Sequence, residues 1–268
     1  MGALDGKVVL LSGTGRGMGR VAARRFAAEG AIVAGGDIDA AAAAETLRLV
    51  AADGLAPGSA GPLDVTDEDS VRAWVDGCVA SFGRVDVLYN NAGAVRFAAL
   101  ADQPFEDWRF TLAAELDSVF LATRAAWPYL AASRGVVLNV GSVAGISGSM
   151  TVGRVAHSAS KGGVIAVTRQ LAGEGGRAGI RVNAISPGMI ATEGTAESLL
   201  RPGNPMTAVS RHIPLGRVGS ADEVVNVAVF LASDAAAYVT GANVVVDGGW
   251  SAVLNAPLPS FDSPGSEA

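Results

Sequence analysis

Residues 7–19, KVVLLSGTGRGMG, decide the fold, because they join an apolar run to a loop rich in glycine. The apolar run from Lys7 to Ser12 predicts a short buried strand, and residues 20–29 predict a helix closed by Gly30. Glycines between a strand and a helix let backbone N–H groups approach a pyrophosphate at the positive end of the helix. These residues therefore predict the first strand, loop and helix of a nucleotide-binding α/β domain.

Strands and helices alternate along the rest of the chain. Further strands are predicted at residues 31–36, 61–65, 85–89, 136–140, 180–186 and 242–247, and helices at 40–52, 71–82, 106–130 and 221–232. Another helix carries His157 and Lys161 and continues to about Glu174. This alternation predicts a single-domain α/β fold, a doubly wound parallel sheet of about seven strands with helices on both faces. We expect residues 1–250 to form the domain and residues 251–268 a flexible tail.

The composition excludes several classes of function. Half of the 268 residues are hydrophobic, and the net charge of −6 leaves no basic surface for nucleic acid. The single cysteine excludes an internal disulfide, and two histidines without clustered ligands argue against a metal site. The N-terminal apolar run is too short for a secretory signal, and no window is long enough to span a membrane. We therefore expect a cytoplasmic protein that binds neither nucleic acid nor membrane.

Acidic and amide side chains follow several strands at positions where a nucleotide would lie. Asp37 comes about twenty residues after the glycine loop, where a carboxylate accepts hydrogen bonds from the adenosine ribose and repels a 2′-phosphate. The alternative for Asp37 is a helix cap, although Asp39 suits that role better. Asp64 could bind the exocyclic amine of adenine or cap the next helix. Residues 90–93, NNAG, suit a loop against a sugar or a neighbouring strand.

Residues 140–161 bring three reactive side chains to the carboxyl end of a predicted strand. Ser142 follows the strand, and His157 and Lys161 are four residues apart, which places both on one face of a helix. Open α/β sheets hold their active sites at this end of their strands. The pattern predicts a site of hydroxyl, imidazole and ammonium groups. The alternative is a serine-rich turn followed by an ordinary surface histidine and lysine.

Glu115 lies in the interior of the predicted helix 106–130, beside an apolar face that includes Trp108, Leu112 and Leu116. A buried carboxylate at this position needs a partner or a raised pKa. The alternative is a solvated glutamate, which the composition of the helix alone favours. The sequence leaves this choice open.

From about Lys7 to Trp250, these motifs resemble those of the short-chain dehydrogenases/reductases. The loop from Ser12 to Gly19 is similar to the family's TGxxxGxG motif, with serine in place of the leading threonine. Residues 90–93 match the family's NNAG, residues 187–188 its PG turn, and residues 244–249 its closing strand. The resemblance implies a Rossmann-type fold and a nicotinamide cofactor. The residues that it implies for the cofactor site are Gly13, Arg16, Gly17, Met18, Gly19, Asp37, Ile38, Asp64, Val65, Asn91, Ala92, Gly93, Lys161, Pro187, Gly188, Ile190 and Thr192.

Two positions depart from the family's Asn-Ser-Tyr-Lys tetrad. The family's YxxxK helix reads His157-Ser-Ala-Ser-Lys161 here, and the family's VNL aligns with residues 114–116, AEL. The implied catalytic set is therefore Glu115, Ser142, His157 and Lys161, and Asn139 is not the missing tetrad asparagine. Ser142 also lies about two residues further from the YxxxK position than is usual in the family.

Histidine changes the chemistry that the resemblance implies. It titrates near neutrality, so it can serve as an acid or a base, but its ring nitrogen falls roughly 2 Å short of a tyrosine hydroxyl. Lys161 would disfavour a cationic His157 and Glu115 would favour it, and Glu115 could pair with Lys161 or orient His157. We expect an NAD(P)-dependent oxidoreductase of secondary alcohols or ketones with His157 as acid/base. The alternatives are non-redox proton transfer, such as elimination or isomerisation, and nucleotide binding without turnover.

The remaining expectations concern the cofactor, the substrate and the assembly. Asp37 favours NAD(H) over NADP(H), whereas Arg16 is a basic residue that can accompany a 2′-phosphate. Residues 146–152 and a lid at residues 193–213 would line a pocket with small, apolar groups. By the family resemblance, the helix 106–130 and the helix after His157 would pack across a dyad in a homodimer or homotetramer.

Overall fold

A computed structural model describes residues 2–56, 58–193 and 209–253 of the chain. Its centre is one parallel sheet of seven strands: β1 (Val8–Ser12), β2 (Ile32–Asp37), β3 (Ser59–Pro62), β4 (Val87–Asn90), β5 (Val136–Val140), β6 (Arg181–Pro187) and β7 (Asn243–Val246). The strand order is β3-β2-β1-β4-β5-β6-β7. The predicted doubly wound α/β sheet is confirmed. Its order reverses between β1 and β4, which is the point where such sheets bind their ligands.

The connections between the strands are mostly helical. The helices are α1 (Gly17–Ala28), α2 (Ala40–Ala52), α3 (Glu68–Phe82), α4 (Phe105–Leu112), α5 (Ser118–Ser133), α6 (Val155–Gly175) and α7 (Ala221–Ala232). Side chains cap several of them: Asp39 accepts a hydrogen bond at the start of α2, Asp67 does so at α3, and Ser220 forms a capping box with Glu223 at α7. Several predicted boundaries differ from the observed ones. Helix α1 begins at Gly17 rather than at residue 20, α3 begins at Glu68 rather than at residue 71, and β3 ends at Pro62 rather than at residue 65.

The central strand shows why the sheet is covered on both faces. All five residues of β1 are buried, and successive side chains point to opposite faces. Val9 and Leu11 pack with Phe26 of α1 in one cluster that also includes α7, whereas Val8 and Leu10 pack with α3 and α5 in the other. Burying a side chain of this size stabilises a fold by about 1.5–3 kcal/mol. The two clusters therefore hold helices on both faces of the sheet.

The predicted helix 106–130 is interrupted in its middle by a π-helical turn, Ala113–Asp117. Helix α4 runs directly into this turn and α5 runs directly out of it, so one long rod spans residues 105–133. A π turn closes i→i+5 hydrogen bonds, carries no sequence signature, and is frequent at functional sites. Glu115 lies at its centre and is 5% exposed.

A buried chain of polar side chains ties the sheet to helices α5 and α6. Asn90 Nδ2 donates hydrogen bonds to Thr123 Oγ1 (3.1 Å) and Asn139 Oδ1 (2.8 Å). Asn139 Nδ2 donates to Thr168 Oγ1 at 2.9 Å, and Thr168 Oγ1 donates to Val164 O at 2.8 Å. Asn139 thus holds the strands below the site to the helix that carries His157.

Some expectations lie outside the described residues. Of the expected lid at 193–213, residues 194–208 are not described, and of the expected tail, residues 254–268 are not described. Within the described part of the chain, no helix is both long and apolar enough to cross a membrane. The same part contains no group of three or more His, Cys, Asp or Glu side chains that could hold a metal ion.

Candidate active site

The glycine loop between β1 and α1 brings bare backbone to the switch point of the sheet. Gly13 and Gly17 have φ values of +77° and +57°, which side chains disfavour. A Cβ atom on Gly13 would lie 2.9 Å from Ala92 Cα, so this loop and the loop after β4 approach each other closely. Arg16, at the N-cap of α1, makes no side-chain capping hydrogen bond. The first N–H groups of α1 therefore remain available for an anion.

A cleft of about 350 Å³ opens beside this loop. Eight of the residues expected at the cofactor site line it together: Gly13, Arg16, Asp37, Ile38, Asp64, Val65, Ala92 and Gly93. Leu63, Thr66, Ala94, Phe110 and Ala114 complete the lining. The structure thus brings the loops after β1, β2, β3 and β4 around one space, with Ala114 of the π turn in its lining.

The two acidic side chains of the cleft are not the caps of the following helices. Asp37 Oδ2 accepts a hydrogen bond from Gly15 N at 2.7 Å, and Oδ1 accepts one from Asp39 N at 2.9 Å, while Asp39 itself caps α2. Asp64 Oδ1 accepts from the backbone N (2.9 Å) and the hydroxyl (2.7 Å) of Thr66. Both carboxylates are therefore held in place by local donors at the edge of the cleft.

Other expected cofactor residues support the glycine loop from below and from the side. Asn91 Nδ2 donates to Ser12 O (3.0 Å) and Gly13 O (3.3 Å), so its side chain lies under the loop, against the neighbouring strand. Gly19 packs against the carbonyl of Gly13, and Met18 packs against the core. These contacts fix the path of the loop.

The PG turn lies at the end of β6. Pro187 is the last residue of β6, and Gly188 N donates to Val246 O at 2.9 Å. Ile190 then pairs with Gly219 in a two-residue parallel bridge. A Cβ atom on Gly17 would lie 3.8 Å from the side chain of Thr192, so this segment covers the start of α1.

Glu115, His157, Ser160 and Lys161 form a single cluster next to the cleft, since a Cβ atom on its lining residue Gly93 would lie 3.5 Å from Glu115 Cγ. His157 Nδ1 lies 2.8 Å from Glu115 Oε2 and 3.0 Å from Oε1. Ser160 Oγ donates to Glu115 Oε2 at 2.5 Å, and Lys161 Nζ lies 3.8 Å from Glu115 Oε1. Lys161 Nζ also donates to Val140 O, the last residue of β5, at 2.9 Å. The alternatives of a solvated glutamate and an ordinary surface lysine are therefore excluded.

The electrostatics of the cluster favour an ionised Glu115. Burial alone would raise the pKa of Glu115, but the hydrogen bond to His157 and the charge of Lys161 together lower it. Burial lowers the pKa of Lys161, and Glu115 opposes that shift. An ionised carboxylate only accepts hydrogen bonds, so His157 Nδ1 carries a hydrogen. The other ring nitrogen, Nε2, has no hydrogen-bond partner in the described part of the chain.

Ser142 stands at the first turn after β5. Its Oγ accepts a hydrogen bond from Ala144 N at 3.0 Å, and the turn packs on α6, because a Cβ on Gly145 would lie 2.7 Å from the carbonyl carbon of Lys161. The structure therefore places Ser142 beside the helix of the cluster. No hydrogen bond joins Ser142 to His157 in the described part of the chain.

Sequence reasoning missed two contacts of this cluster. Ser160 is fully buried and supports Glu115, and Phe97 meets His157 edge to face with ring centroids 5.7 Å apart. Ser160 could have been found from its spacing, since it lies three residues after His157 on the same helix. Phe97 gives no such signal, because its contact with His157 depends on the path of a loop.

Comparison with known proteins agrees with the fold. A family model described as enoyl-(acyl carrier protein) reductase matches residues 13–251. The chain is 43% identical to 3-oxoacyl-(acyl-carrier-protein) reductase FabG of Thermotoga maritima, over 92% of this chain and 98% of that protein. The chain belongs to the short-chain dehydrogenase/reductase family. It is also 40% identical to D-threitol dehydrogenase of Mycolicibacterium smegmatis, over 92% of this chain and 94% of the relative.

A solved structure extends the agreement. The crystal structure of gox2181 superposes with a TM-score of 0.89 at 32% identity, covering 93% of this chain and 97% of that one. As a short-chain dehydrogenase/reductase, the chain is an NAD(P)-dependent oxidoreductase that acts on CH–OH groups or on the corresponding ketones. The cleft fits this cofactor, because a glycine-rich loop, a helix start without a side-chain cap and an open space meet at the switch point.

Proposed function

We propose that this short-chain dehydrogenase/reductase interconverts a small, apolar secondary alcohol and its ketone, with NAD(H) as preferred cofactor and His157 as acid/base. In this proposal His157 occupies the position of the family's tyrosine and Glu115 that of the tetrad asparagine. The observation that carries it is the 2.8 Å contact between His157 Nδ1 and Glu115 Oε2. A carboxylate that orients a histidine leaves the second ring nitrogen to exchange a proton with substrate.

The proton moves through the free nitrogen of the ring. In the oxidation direction, Nε2 removes the proton of the alcohol, and the imidazolium that forms is stabilised by the ionised Glu115. In the reduction direction, Nε2–H gives its proton to the carbonyl oxygen. When bound, the nicotinamide accepts or supplies the hydride. Because a histidine is roughly 2 Å shorter than a tyrosine, the substrate lies deeper against α6, or one water bridges the gap.

Lys161 and Ser142 hold the reactants. The ammonium of Lys161 is held by Val140 O and by the charge of Glu115. It would bind the nicotinamide ribose. Ser142 would donate its hydroxyl hydrogen to the substrate carbonyl, since its Oγ already accepts from Ala144 N and keeps its hydrogen free. Pro187, Gly188, Ile190 and Thr192 would contact the nicotinamide end.

Asp37 is the basis of the cofactor preference. Its carboxylate is fixed at the edge of the cleft by Gly15 N and Asp39 N, where a 2′-phosphate would meet a negative charge. Arg16 lines the same cleft and is a basic residue that can accompany a 2′-phosphate. We expect NADH to bind more tightly than NADPH in a fluorescence titration. Tighter binding of NADPH would overturn this part of the proposal.

The direct test is turnover with a panel of ketones and secondary alcohols, followed by nicotinamide absorbance. We expect reduction of at least one small apolar ketone. Tight cofactor binding without any turnover across the panel would contradict the proposal and would favour nucleotide binding without turnover.

A His157→Tyr substitution separates the remaining possibilities. Higher reductase activity in this variant would mark the native site as a specialised or slowed reductase. Loss of a non-redox activity, such as an elimination, would instead show that the imidazole serves proton transfer alone.

A further inference from the structure

Ser160 lies on the same face of α6 as His157 and Lys161, between the two along the chain. It is fully buried, and its Oγ is 2.5 Å from Glu115 Oε2 and 2.9 Å from His157 O. A serine hydroxyl carries a single hydrogen, so it can donate fully to only one of these two oxygens. The charged carboxylate is the stronger acceptor and also the nearer one. The hydroxyl of Ser160 therefore donates to Glu115.

Three other hydroxyl groups show the usual arrangement within a helix. Ser81, Ser118 and Thr168 each donate to the backbone carbonyl four residues earlier in the chain, at 2.8 Å. Such back-bonding is the common local choice of serine and threonine in helices. Ser160 also has a carbonyl of its own helix within reach, yet its shorter contact crosses to the π turn. The bond from Ser160 to Glu115 thus belongs to the active site rather than to the helix.

Two partners compete for the carboxylate of Glu115. His157 Nδ1 is 2.8 Å from Oε2, whereas Lys161 Nζ is 3.8 Å from Oε1, which is beyond hydrogen-bond distance. Lys161 and Glu115 are both buried, so solvent screens the attraction between their charges only weakly. The carboxylate nevertheless stays on the histidine. In the described part of the chain, the one further donor to it is Ser160, at the same oxygen that receives His157 Nδ1.

We propose that Ser160 is a positioning residue, whose hydroxyl keeps the carboxylate of Glu115 on His157. The same bond keeps that carboxylate away from Lys161. This inference rests on the proposed function, because it concerns the acid/base pair of the same site. Held in this way, Glu115 keeps a ring hydrogen on Nδ1 and leaves Nε2 for the substrate. Lys161 keeps its bond to Val140 O and stays available for the cofactor.

The first test is the turnover of Ser160→Ala with the best ketone of the panel. Without the hydroxyl, the carboxylate is drawn toward the ammonium, so kcat should fall by about 10- to 100-fold, the worth of a hydrogen bond to a charged group. Ser158→Ala is the matched control and should keep the wild-type kcat. Ser158 is a partly buried serine of the same helix whose side chain makes no hydrogen bond to the described residues. Wild-type kcat in Ser160→Ala, or an equal loss in Ser158→Ala, would contradict the inference.

A double-mutant cycle decides whether Ser160 acts through Glu115. Steady-state kinetics are compared for Ser160→Ala, Glu115→Gln and the double variant. Once residue 115 is a glutamine, its amide carries no charge for Lys161 to attract, so Ser160→Ala should lower kcat little further. Losses that multiply across the cycle would contradict the inference, because Ser160 would then act independently of the carboxylate.

An NMR measurement tests the same contact without turnover. The chain has two histidines, and His212 is exposed, so an imidazole N–H resonance protected from exchange belongs to His157, and its absence from His157→Phe assigns it. We expect this Nδ1–H to exchange with water about tenfold faster or more in Ser160→Ala, and at the wild-type rate in Ser158→Ala. That result would support the inference even if no ketone is ever reduced, in which case the proposed function alone fails. An unchanged exchange rate in Ser160→Ala would overturn the inference while the proposed function stands.

Discussion

At the scale of single residues, the site depends on Glu115, for which the sequence offered two possible partners, Lys161 and His157, without deciding between them. The composition of the predicted helix alone could not decide whether Glu115 is solvated or buried. Its partners His157 and Ser160 lie 42 and 45 residues further along the chain. Contacts at that separation have no local signal, because they depend on how the helices pack. The reactive residues of α6 and their spacing were predictable, whereas the geometry of the contact between Glu115 and His157 was not.

The charge of Glu115 gives a prediction about activity. Glu115→Gln keeps the size of the side chain but cannot stabilise an imidazolium, so kcat should fall by on the order of 10²-fold or more. Steady-state kinetics with the best ketone of the panel measures this effect. Wild-type kcat in the variant would show that the carboxylate does not assist His157. Glu106→Gln, an exposed change in the same rod, is the matched control.

The same residue gives a prediction about stability and pH. The pKa of Glu115 is lower in the folded chain than in the unfolded chain. Its carboxylate therefore stabilises the fold above the unfolded pKa of about 4.3, and this contribution is lost as the pH falls through the folded value. Thermal unfolding across the acidic range should show a shallower loss of Tm in Glu115→Gln than in the wild type. Identical pH slopes would contradict the ionised, paired Glu115.

At the scale of secondary-structure elements, the π turn is the feature that could not be predicted from the sequence. The apolar periodicity of residues 106–130 predicts a helix, and a π turn preserves that periodicity closely enough to stay hidden. It shifts the helix locally, and Glu115 stands at its centre beside the cleft. The strands β1, β2 and β5 were predictable to within one residue at each end, since buried apolar runs with glycine ends are strong signals.

The buried chain of polar side chains beneath the site predicts which buried substitution lowers the stability of the fold most. Asn139 is fully buried and joins Asn90 to Thr168. Asn139→Leu removes both bonds and leaves buried amide and hydroxyl groups underpaired, so stability should fall by about 2–3 kcal/mol, a Tm decrease of roughly 5–10 °C. Thr123→Val removes only the outermost bond and should cost about 1 kcal/mol. Calorimetry that finds Asn139→Leu as stable as the wild type would contradict this role.

At the scale of the whole molecule, the alternation of strands and helices was sufficient to predict the parallel sheet. It did not predict which strands are neighbours, and so the cleft between the loops after β1 and β4 emerged only from the structure. Close packing of those loops also shows why so many glycines were needed there. The family resemblance supplied the role of the cleft, and the comparisons with known proteins confirmed the family.

The outer face of α5 and α6 carries the prediction about assembly. A groove of about 300 Å³ between them is lined by apolar side chains that include Trp127, Val167 and Leu171, and Phe120 at its edge is 54% exposed. We expect a homodimer or homotetramer built on this face, and Phe120→Glu should shift sedimentation toward smaller species. Tyr238→Glu, a fully exposed position away from the groove, is the control. A wild-type monomer at micromolar concentration would contradict the expectation.

Turnover of His157→Phe with cofactor bound tests the role of His157 directly. Phenylalanine keeps a flat ring but cannot exchange a proton. We expect kcat to fall by about 10²–10⁴-fold, with NADH still bound in a fluorescence titration. A variant that binds NADH and reduces the ketone at the wild-type rate would contradict the role of His157 as acid/base, because the proton would then come from another group.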